Sequence, residues 1–184
     1  MREILRVRPP ETFSTARLDA RPPRIADAER VFATYAQDPD VTRHLSWRSH
    51  ADIGVTRDFL GLCETAWTRN EGHLPWLLFE RQTGALVGSI GVAIGGSQAC
   101  FGYLLARAHW NRGYAAEALK ALADWSLAQP EIYRAWAFCD AENPASARVM
   151  EKAGMTREGV LRRWHVAPNL GAEPRDCIVC AKVK

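Results

Sequence analysis

Apolar residues repeat at helical spacing in two segments of the N-terminal third of the chain. In residues 27–36 they recur at three- and four-residue intervals, which predicts an amphipathic helix, and the Asp-Pro-Asp sequence at 38–40 predicts its end. Residues 52–67 carry apolar side chains on one side and predict a second helix. Ahead of both, weak alternation in residues 17–21 predicts a short strand.

Three strand-like runs occupy the middle of the chain. They span residues 74–80, 86–92 and 99–105. Short turn sequences join them, Arg-Gln-Thr-Gly at 81–84 and Gly-Gly-Ser at 95–97. Connections this short favour β-hairpins, so this part of the sheet is predicted to be antiparallel.

The remaining sequence alternates between helical and strand-like patterns. Its predicted elements are a helix at 115–129, a strand at 134–139, a helix at 143–153 with Gly154 as its C-terminal cap, and strands at 159–166 and 176–182. No repeat or linker divides this region, so residues 13–184 are expected to form a single mixed α/β domain. Residues 1–12 show no periodicity and are expected to form a mobile or loosely attached N-terminal arm.

Composition and charge fit one soluble globular domain. Of the 184 residues, 47% are hydrophobic and 24% are charged, with a formal net charge of +3. The arginines are dispersed, so no nucleic-acid partner is expected. No run is apolar enough to cross a bilayer and no signal-peptide core is evident, so we expect no membrane partner and a cytoplasmic location.

The cysteines favour neither disulfides nor a metal site. Their number is odd, five, and the expected compartment is reducing. Cys177 and Cys180 form a C-x-x-C pair, but positions three apart on a strand point to opposite faces. We therefore expect reduced thiols and no bound metal.

The segment from 110 to 117 joins a predicted strand to a predicted helix and has features of an anion-binding turn. The first N–H groups of a helix lack internal partners and the helix dipole adds positive potential, a combination that holds phosphate. Gly113 and Ala115 leave room for a ligand, and Arg112 supplies a cation. Taken alone, an ordinary strand–helix turn explains the same residues equally well. The chain contains neither a P-loop nor a G-x-G-x-x-G fingerprint.

A second motif follows thirty residues after Gly113 (143 − 113). Asn143 stands where a helix N-cap is expected, Pro144 occupies the first helical position, and Ser146 follows in the first turn. Each residue has an ordinary structural explanation. The order of the two motifs, R-G-x-A on one helix and N-x-x-S on the next, resembles the GCN5-related N-acetyltransferase (GNAT) superfamily.

Further segments resemble the RimJ/RimL-like subgroup of that superfamily. They are Thr15–Leu18, Asp27–Glu29, Asp38–Val41, Pro168–Leu170 and Pro174–Asp176. The resemblance extends over about residues 13–182. It implies a GNAT-type acyl-CoA N-acyltransferase fold, with a central mixed, mostly antiparallel sheet flanked by helices. It also implies an enzyme that transfers the acetyl group of acetyl-CoA to a primary amine, either a protein N-terminus of the ribosomal-protein kind or a small amine.

The resemblance also implies a role for particular residues. The backbone of Tyr103, Leu104 and Leu105 would bind the pantetheine arm and the acetyl carbonyl. Asn143 would hydrogen-bond the pantetheine, and Ser146 would lie near the sulfur and donate to the leaving thiolate. The diphosphate would be held by backbone N–H groups of the turn and its flanking residues: Asn111, Arg112, Gly113, Tyr114, Ala115 and Ala116.

The chain departs from the family at the positions that handle protons. Met150 stands where many relatives have a tyrosine, and Cys100 where subgroup members often have a glutamate. No general base follows from the sequence; a chain of water molecules, His73 and His165 all stay open. A homodimer also stays open.

Two other functions remain alternatives at this point. The missing tyrosine and glutamate are compatible with a non-catalytic acyl-CoA-binding module. The aromatic and basic loop at 44–50 is compatible with an interaction protein that has no nucleotide affinity. Within the enzyme interpretation, Trp47, His50 and Trp164 are candidates for the lining of an acceptor pocket.

Overall fold

A computed structural model of the chain describes residues 7–184. Its strands are β1 (Phe13–Ser14), β2 (Leu18–Arg21), β3 (His73–Glu80), β4 (Leu86–Gly95), β5 (Gln98–Leu105), β6 (Arg134–Asp140), β7 (Thr156–Val166) and β8 (Pro174–Val183). Its α-helices are α1 (Ala28–Val31), α2 (Pro39–Thr42), α3 (Ile53–Arg69), α4 (Tyr114–Ala128) and α5 (Pro144–Lys152).

The strands form one mixed sheet in the order β1-β2-β3-β4-β5-β6-β8-β7. Neighbouring strands are antiparallel throughout except for β5 and β6, which run parallel. The two hairpins expected from the turns at 81–84 and 95–97 are the antiparallel pairs β3–β4 and β4–β5. The expectation of a mixed, mostly antiparallel sheet flanked by helices is confirmed.

The parallel pair in the middle of the sheet separates partway along its length. Pairing of β5 with β6 runs from Gln98 opposite Arg134 to Phe101 opposite Ala137 and stops there. Both strands continue beyond that point, β5 to Leu105 and β6 to Asp140. The sheet therefore opens into a V between the C-terminal halves of these two strands.

Helices cover both faces of the sheet. On one face α4 and α5 pack through Leu119, Leu122 and Met150 against β5 and β6. On the other face α1 and α3 pack through Val31 and Leu60 against β3 and β4. The opening between β5 and β6 thus lies beside the N-terminal ends of α4 and α5.

The first helical region differs in detail from the sequence prediction. A 3₁₀ turn at Ile25–Asp27 precedes α1, and a π-helical turn at Phe32–Ala36 follows it. The sequence at 38–40 ends this helix but also begins α2, because the Asp38 carboxylate accepts from the N–H of Asp40.

The described part of the N-terminal arm is held against the sheet. The indole N–H of Trp76 donates to the carbonyl groups of Pro10 (3.0 Å) and Glu11 (3.2 Å), and Val7 packs on the main core. The expectation of a loosely attached arm is therefore wrong for residues 7–12. Its first six residues lie outside the described range.

Within the described range, the five cysteines form neither a disulfide nor a metal site. All five cysteines are free thiols, and within residues 7–184 no group of three His, Cys, Asp or Glu side chains could hold a metal ion. Cys177 pairs with Asp140 across the sheet, whereas Cys180 pairs with Ala137. The pairing is regular between these positions, and side chains alternate between the two faces along a strand. Two cysteines three positions apart therefore have their thiols on opposite faces of the sheet. In the same part of the chain, no helix is long and apolar enough to cross a bilayer.

Candidate active site

The opening between β5 and β6 is the floor of a cavity of about 600 Å³. Its walls combine the second half of β5, the end of β6, the β5–α4 turn, one side of α5, the loop that follows α2, and parts of β7 and β8. Of the residues proposed from the sequence, those lining it are Tyr103, Leu104, Leu105, Asn111, Gly113, Ala115, Ala116, Asn143 and Ser146.

Arg112 and Tyr114 do not line the cavity with their side chains. The Tyr114 ring is buried, and its hydroxyl donates to the Glu80 carboxylate. Arg112 is exposed, and its carbonyl accepts from the guanidinium of Arg17 (2.9 Å). The role inferred for these two residues is to hold the diphosphate through their backbone N–H groups. The positions of their side chains do not test that role, so it stays a prediction.

The β5–α4 turn has the backbone shape of an anion-binding loop. Asn111 (φ 61°) and Gly113 (φ 79°) both adopt the left-handed conformation. Gly113 is the N-cap of α4, and no side chain caps the first turn of this helix. Successive N–H groups around left-handed residues form a concave nest that favours anions, and the helix dipole acts in the same direction. Uncapped N–H groups at the mouth of a cavity are a suitable site for a diphosphate.

An ion pair that the sequence analysis missed holds this turn in place. Glu117, in the first turn of α4, accepts from the Thr15 hydroxyl (2.5 Å) and from the backbone N–H of Arg17 (2.9 Å). The Arg17 guanidinium binds the same carboxylate (2.7 Å) and also the carbonyl of Arg112. Burial alone would raise the pKa of Glu117, but these hydrogen bonds hold that pKa below its usual value. Glu117 and Arg17 therefore fasten the turn to the β1–β2 hairpin.

The start of α5 brings Asn143 and Ser146 to the opposite wall. The Asn143 side-chain oxygen accepts from the N–H of Ser146 (3.1 Å), which confirms the predicted N-cap. With its oxygen engaged in the cap, the side-chain amide N–H₂ of Asn143 is left as a donor for a ligand. Ser146 lies one turn further along α5.

Tyr103 links the two walls through a hydrogen bond to Ser146. Its hydroxyl lies 2.8 Å from the Ser146 Oγ and also donates to the Ser146 carbonyl (2.9 Å). Burial raises the pKa of the Tyr103 hydroxyl well above its ordinary value, so this group stays protonated. The sequence assigned Tyr103 a backbone role only. The structure adds a side chain that supports the Ser146 hydroxyl.

The loop after α2 forms a further wall of the cavity. Residues 43–46 of this loop line the cavity, whereas Trp47, His50 and Trp164 do not. Trp47 instead packs on His50 and Phe59, and His50 is buried with its Nδ1 2.8 Å from the Thr56 hydroxyl. Trp47 and His50 therefore pack at the base of the loop. None of the three residues expected to line an acceptor pocket, Trp47, His50 and Trp164, lines this cavity.

Asn169, on the loop between β7 and β8, clamps this segment. Its side-chain N–H₂ donates to the carbonyls of Thr42 (2.8 Å) and Trp47 (2.7 Å). Its side-chain oxygen accepts from the N–H of Ser49 (3.3 Å). Three hydrogen bonds from one side chain thus define the path of the loop over the cavity.

Three histidines come close to this region and differ in their placement. His165 lines the cavity and packs edge-on against Phe138, with ring centroids 5.1 Å apart. His73 does not line it; its ring lies against the backbone of Gly91, where a Cβ atom would come within 2.2 Å of Nε2. His44, which the sequence analysis did not single out, lines the cavity and approaches the Asp140 carboxylate.

Comparison with known proteins places this architecture in a family. Residues 17–156 match the acetyltransferase (GNAT) domain. The N-acetyltransferase p20 of Bacillus licheniformis, itself uncharacterized, is 27% identical over 160 residues, which cover 85% of this chain and 89% of p20.

Solved structures show the same fold. A GNAT-family acetyltransferase from Bacillus anthracis superposes with a TM-score of 0.79 at 27% identity, covering 94% of this chain and 98% of its own. RimL, the ribosomal L7/L12 α-N-protein acetyltransferase solved with coenzyme A, gives a TM-score of 0.82 at 19% identity, with 94% and 98% coverage. The RimL comparison bears on the fold alone.

A sheet that opens beside two helix N-termini, one with an uncapped glycine turn, defines an acyltransferase of the GNAT type. The chain belongs to the GNAT acetyltransferase family and is an N-acetyltransferase. The resemblance to this family that the two motifs suggested is confirmed.

Proposed function

We infer that this protein transfers the acetyl group of acetyl-CoA to a primary amine by direct attack of the amine on the thioester. The observation that supports this proposal best is the placement of the uncapped turn at Gly113 and the Asn143–Ser146 start of α5 on either side of the β5–β6 opening. A diphosphate at the turn would leave the pantetheine arm to run along β5 into the cavity. Relatives solved with acetyl-CoA or coenzyme A support this choice of donor.

On the donor side, binding relies on backbone groups. The N–H groups from Arg112 to Ala115 would hold the diphosphate, flanked by Asn111 and Ala116. Beyond Phe101, β5 has no paired neighbour on its β6 side, so the backbone of residues 103–105 is free to bind the pantetheine and to polarise the acetyl carbonyl. The amide of Asn143 would add a hydrogen bond to the pantetheine.

At the leaving group, Ser146 is the proposed donor to the thiolate. Its hydroxyl is held by Tyr103, whose own proton is retained because of its raised pKa. The Tyr103 hydroxyl has a single proton, which it donates either to the Ser146 carbonyl or to Oγ. In the proposed reaction it donates to Oγ, so that the Ser146 proton points away from Tyr103 and is available to the sulfur. Tyr103 thereby supplies, from β5, a hydroxyl beside Ser146 in a chain that has Met150 where the resemblance leads one to expect a tyrosine.

The proposed acceptor is a protein N-terminus of the ribosomal-protein kind or a small amine. RimL and a ribosomal-protein-S5-alanine acetyltransferase from Vibrio fischeri share the fold and carry the first kind of activity in their names. Both are under 20% identical to this chain, so small amines remain equal candidates.

An acceptor screen tests the proposal. Release of free CoA thiol from acetyl-CoA would be measured with ribosomal-protein N-terminal peptides, polyamines and amino acids. We expect CoA to raise the melting temperature and at least one class of amine to turn over. CoA binding without turnover in any class would favour the non-catalytic acyl-CoA-binding module. A melting temperature that CoA leaves unchanged would exclude both.

A further inference from the structure

His44 lines the cavity on the loop after α2, beside the carboxylate at the end of β6. Its Nδ1 is 3.9 Å from an oxygen of Asp140. That nitrogen is buried and, within residues 7–184, has no hydrogen-bond partner. The His44 side chain nevertheless keeps 21% of its surface exposed and lines the cavity. One edge of the ring is thus enclosed next to Asp140, while the remainder is accessible from the cavity.

Asp140 is itself held in a fixed position. The Arg175 guanidinium donates to both of its oxygens, and the backbone N–H of Glu142 donates to one of them (2.8 Å). Arg175 also binds the Glu142 carboxylate (2.7 Å). Burial alone would raise the pKa of Asp140, but these donors hold it below its usual value, so the group is charged at neutral pH.

We propose that His44, oriented by Asp140, is the general base that accepts the proton lost by the acceptor amine. A carboxylate next to Nδ1 favours the tautomer with hydrogen on that nitrogen, which leaves the lone pair of Nε2 to accept a proton. A separation of 3.9 Å is longer than a hydrogen bond, and such contacts commonly shorten when substrate binds. This inference rests on the proposed acetyl transfer.

The proton balance of the reaction then closes. The nitrogen lone pair forms the N–C bond, and the C–S bond breaks with its electron pair leaving on sulfur. His44 takes a proton from the nitrogen and returns it to solvent. The thiolate takes up a proton from solvent by way of the Ser146 hydroxyl. The net change is the movement of one proton from nitrogen to sulfur.

The charges around His44 favour its neutral, basic form. Burial lowers its pKa below the ordinary value, and the cations Arg43 and Arg175 act in the same direction. The carboxylates of Asp140 and Glu142 oppose this change without cancelling it. Because the pKa is lowered, the imidazole is neutral at pH 7 and becomes protonated only as the pH falls through that lowered value.

His44→Gln tests the proposal with His165→Gln as its matched control, since His165 is the other histidine of the cavity lining. The probes are acetyl-CoA with an L7/L12 N-terminal peptide and with spermidine. For His44→Gln we expect kcat to fall about a hundredfold, with the Kd for CoA unchanged. The fall of kcat/KM at acidic pH, present in the wild type and in His165→Gln, should be absent. In Asp140→Asn that fall should move to lower pH, because the carboxylate that raises the His44 pKa is gone.

The results separate this inference from the proposed function. If the wild type turns over and His44→Gln keeps its kcat and its acidic limb, the base is not His44 although the enzyme is an acetyltransferase. Loss of the limb in His165→Gln instead would assign the base to His165. A loss of CoA binding in His44→Gln would indicate a structural role and also overturn the proposal. A wild type that binds CoA and transfers to neither probe, nor to any amine of the acceptor screen, overturns both.

Discussion

At the scale of single residues, a hydrogen bond joins the hydroxyl groups of Ser146 and Tyr103. Ser146 is the proposed donor to the thiolate, and the Tyr103 hydroxyl on β5 lies 2.8 Å from its Oγ. A serine hydroxyl rotates freely unless a neighbour selects its direction. The catalytic contribution of Ser146 is therefore expected to depend on Tyr103.

Removing either hydroxyl should lower turnover in a coupled way. Ser146→Ala should reduce kcat about tenfold or more, because a hydrogen bond to a charged leaving group is lost. Tyr103→Phe should reduce kcat by less, about three- to tenfold, since Ser146 remains but is no longer directed. The measurements are kcat from thiol release and the Kd for CoA, which should stay the same.

The double variant decides whether Tyr103 acts through Ser146. If it does, the double variant has the kcat of Ser146→Ala, and the two effects are not additive. Multiplicative effects would instead mean that Tyr103 stabilises the reaction independently of Ser146.

At this scale the sequence could predict residues whose role is local. Asn143 as the cap of α5 follows from a rule that involves neighbouring positions only. The contacts of Tyr103 with Ser146, and of His44 with Asp140, join residues far apart in the chain. No spacing rule connects such pairs, so they became visible only in three dimensions.

At the scale of elements, the β5–α4 turn adopts a backbone conformation that favours glycine. Its left-handed residues turn the chain sharply, and Gly113 has φ 79° where a residue with a Cβ is strained. A second left-handed glycine, Gly96 with φ 56°, lies in the β4–β5 hairpin, away from the cavity lining. The two positions impose the same kind of backbone demand, but only the first adjoins the proposed diphosphate site.

Gly113→Ala and Gly96→Ala should therefore differ in ligand binding and not in stability. Each should lower the free energy of unfolding by about 1 kcal/mol, the strain of a Cβ in the left-handed region. Gly113→Ala should also weaken CoA binding about tenfold, because relief of the strain moves the N–H groups of the turn. Urea denaturation and calorimetric CoA titration measure the two effects. Equal CoA affinities in the two variants would contradict the diphosphate assignment.

The prediction of elements succeeded where apolar periodicity was strong. The long helices α3 and α4 and the hairpins of β3, β4 and β5 follow from patterns within each segment. The short helix α2 and the π-helical turn were missed because each is about one turn long and depends on local caps. The parallel pairing of β5 with β6 joins strands separated by α4, so its register and its early end at Phe101 follow from no pattern within a single segment.

At the scale of the whole molecule, carboxylates with lowered pKa connect distant segments. Glu117 joins α4 to the β1–β2 hairpin, Asp140 joins β6 to β8 through Arg175, and Asp38 joins α2 to Arg107. The pKa of each lies below its ordinary value: burial opposes the shift, and hydrogen bonds from cations and N–H groups outweigh it. A depressed pKa contributes stability above the unfolded-state value, which is lost as the pH falls through the folded-state value.

The protein should accordingly lose stability in acid. The urea midpoint should be nearly constant from pH 7 to pH 8 and decline below about pH 6.5, because burial lowers the pKa of His44, His50 and His73 and the unfolded chain binds those protons first. It should fall more steeply below about pH 4, the usual range of free carboxyl groups. Glu117→Gln should lower stability at pH 7 by about 1 kcal/mol, a modest amount because Arg17 is half exposed and solvent screens the pair. Its urea midpoint should decline less steeply with acid. A decline identical to that of the wild type would show that Glu117 does not contribute to the acid transition.

The Asn169 clamp has a consequence for how acceptor preference can change in this protein. The wall of the cavity formed by residues 43–46 keeps its path through three hydrogen bonds from a side chain on the β7–β8 loop. The loop after α2 and the β7–β8 loop lie more than a hundred positions apart in the sequence. Because these hydrogen bonds join them, they form one structural unit. A chimera that takes the loop after α2 from a relative would therefore also need the β7–β8 loop of that relative. Recombination at a point between the two loops would separate the groups that form these hydrogen bonds.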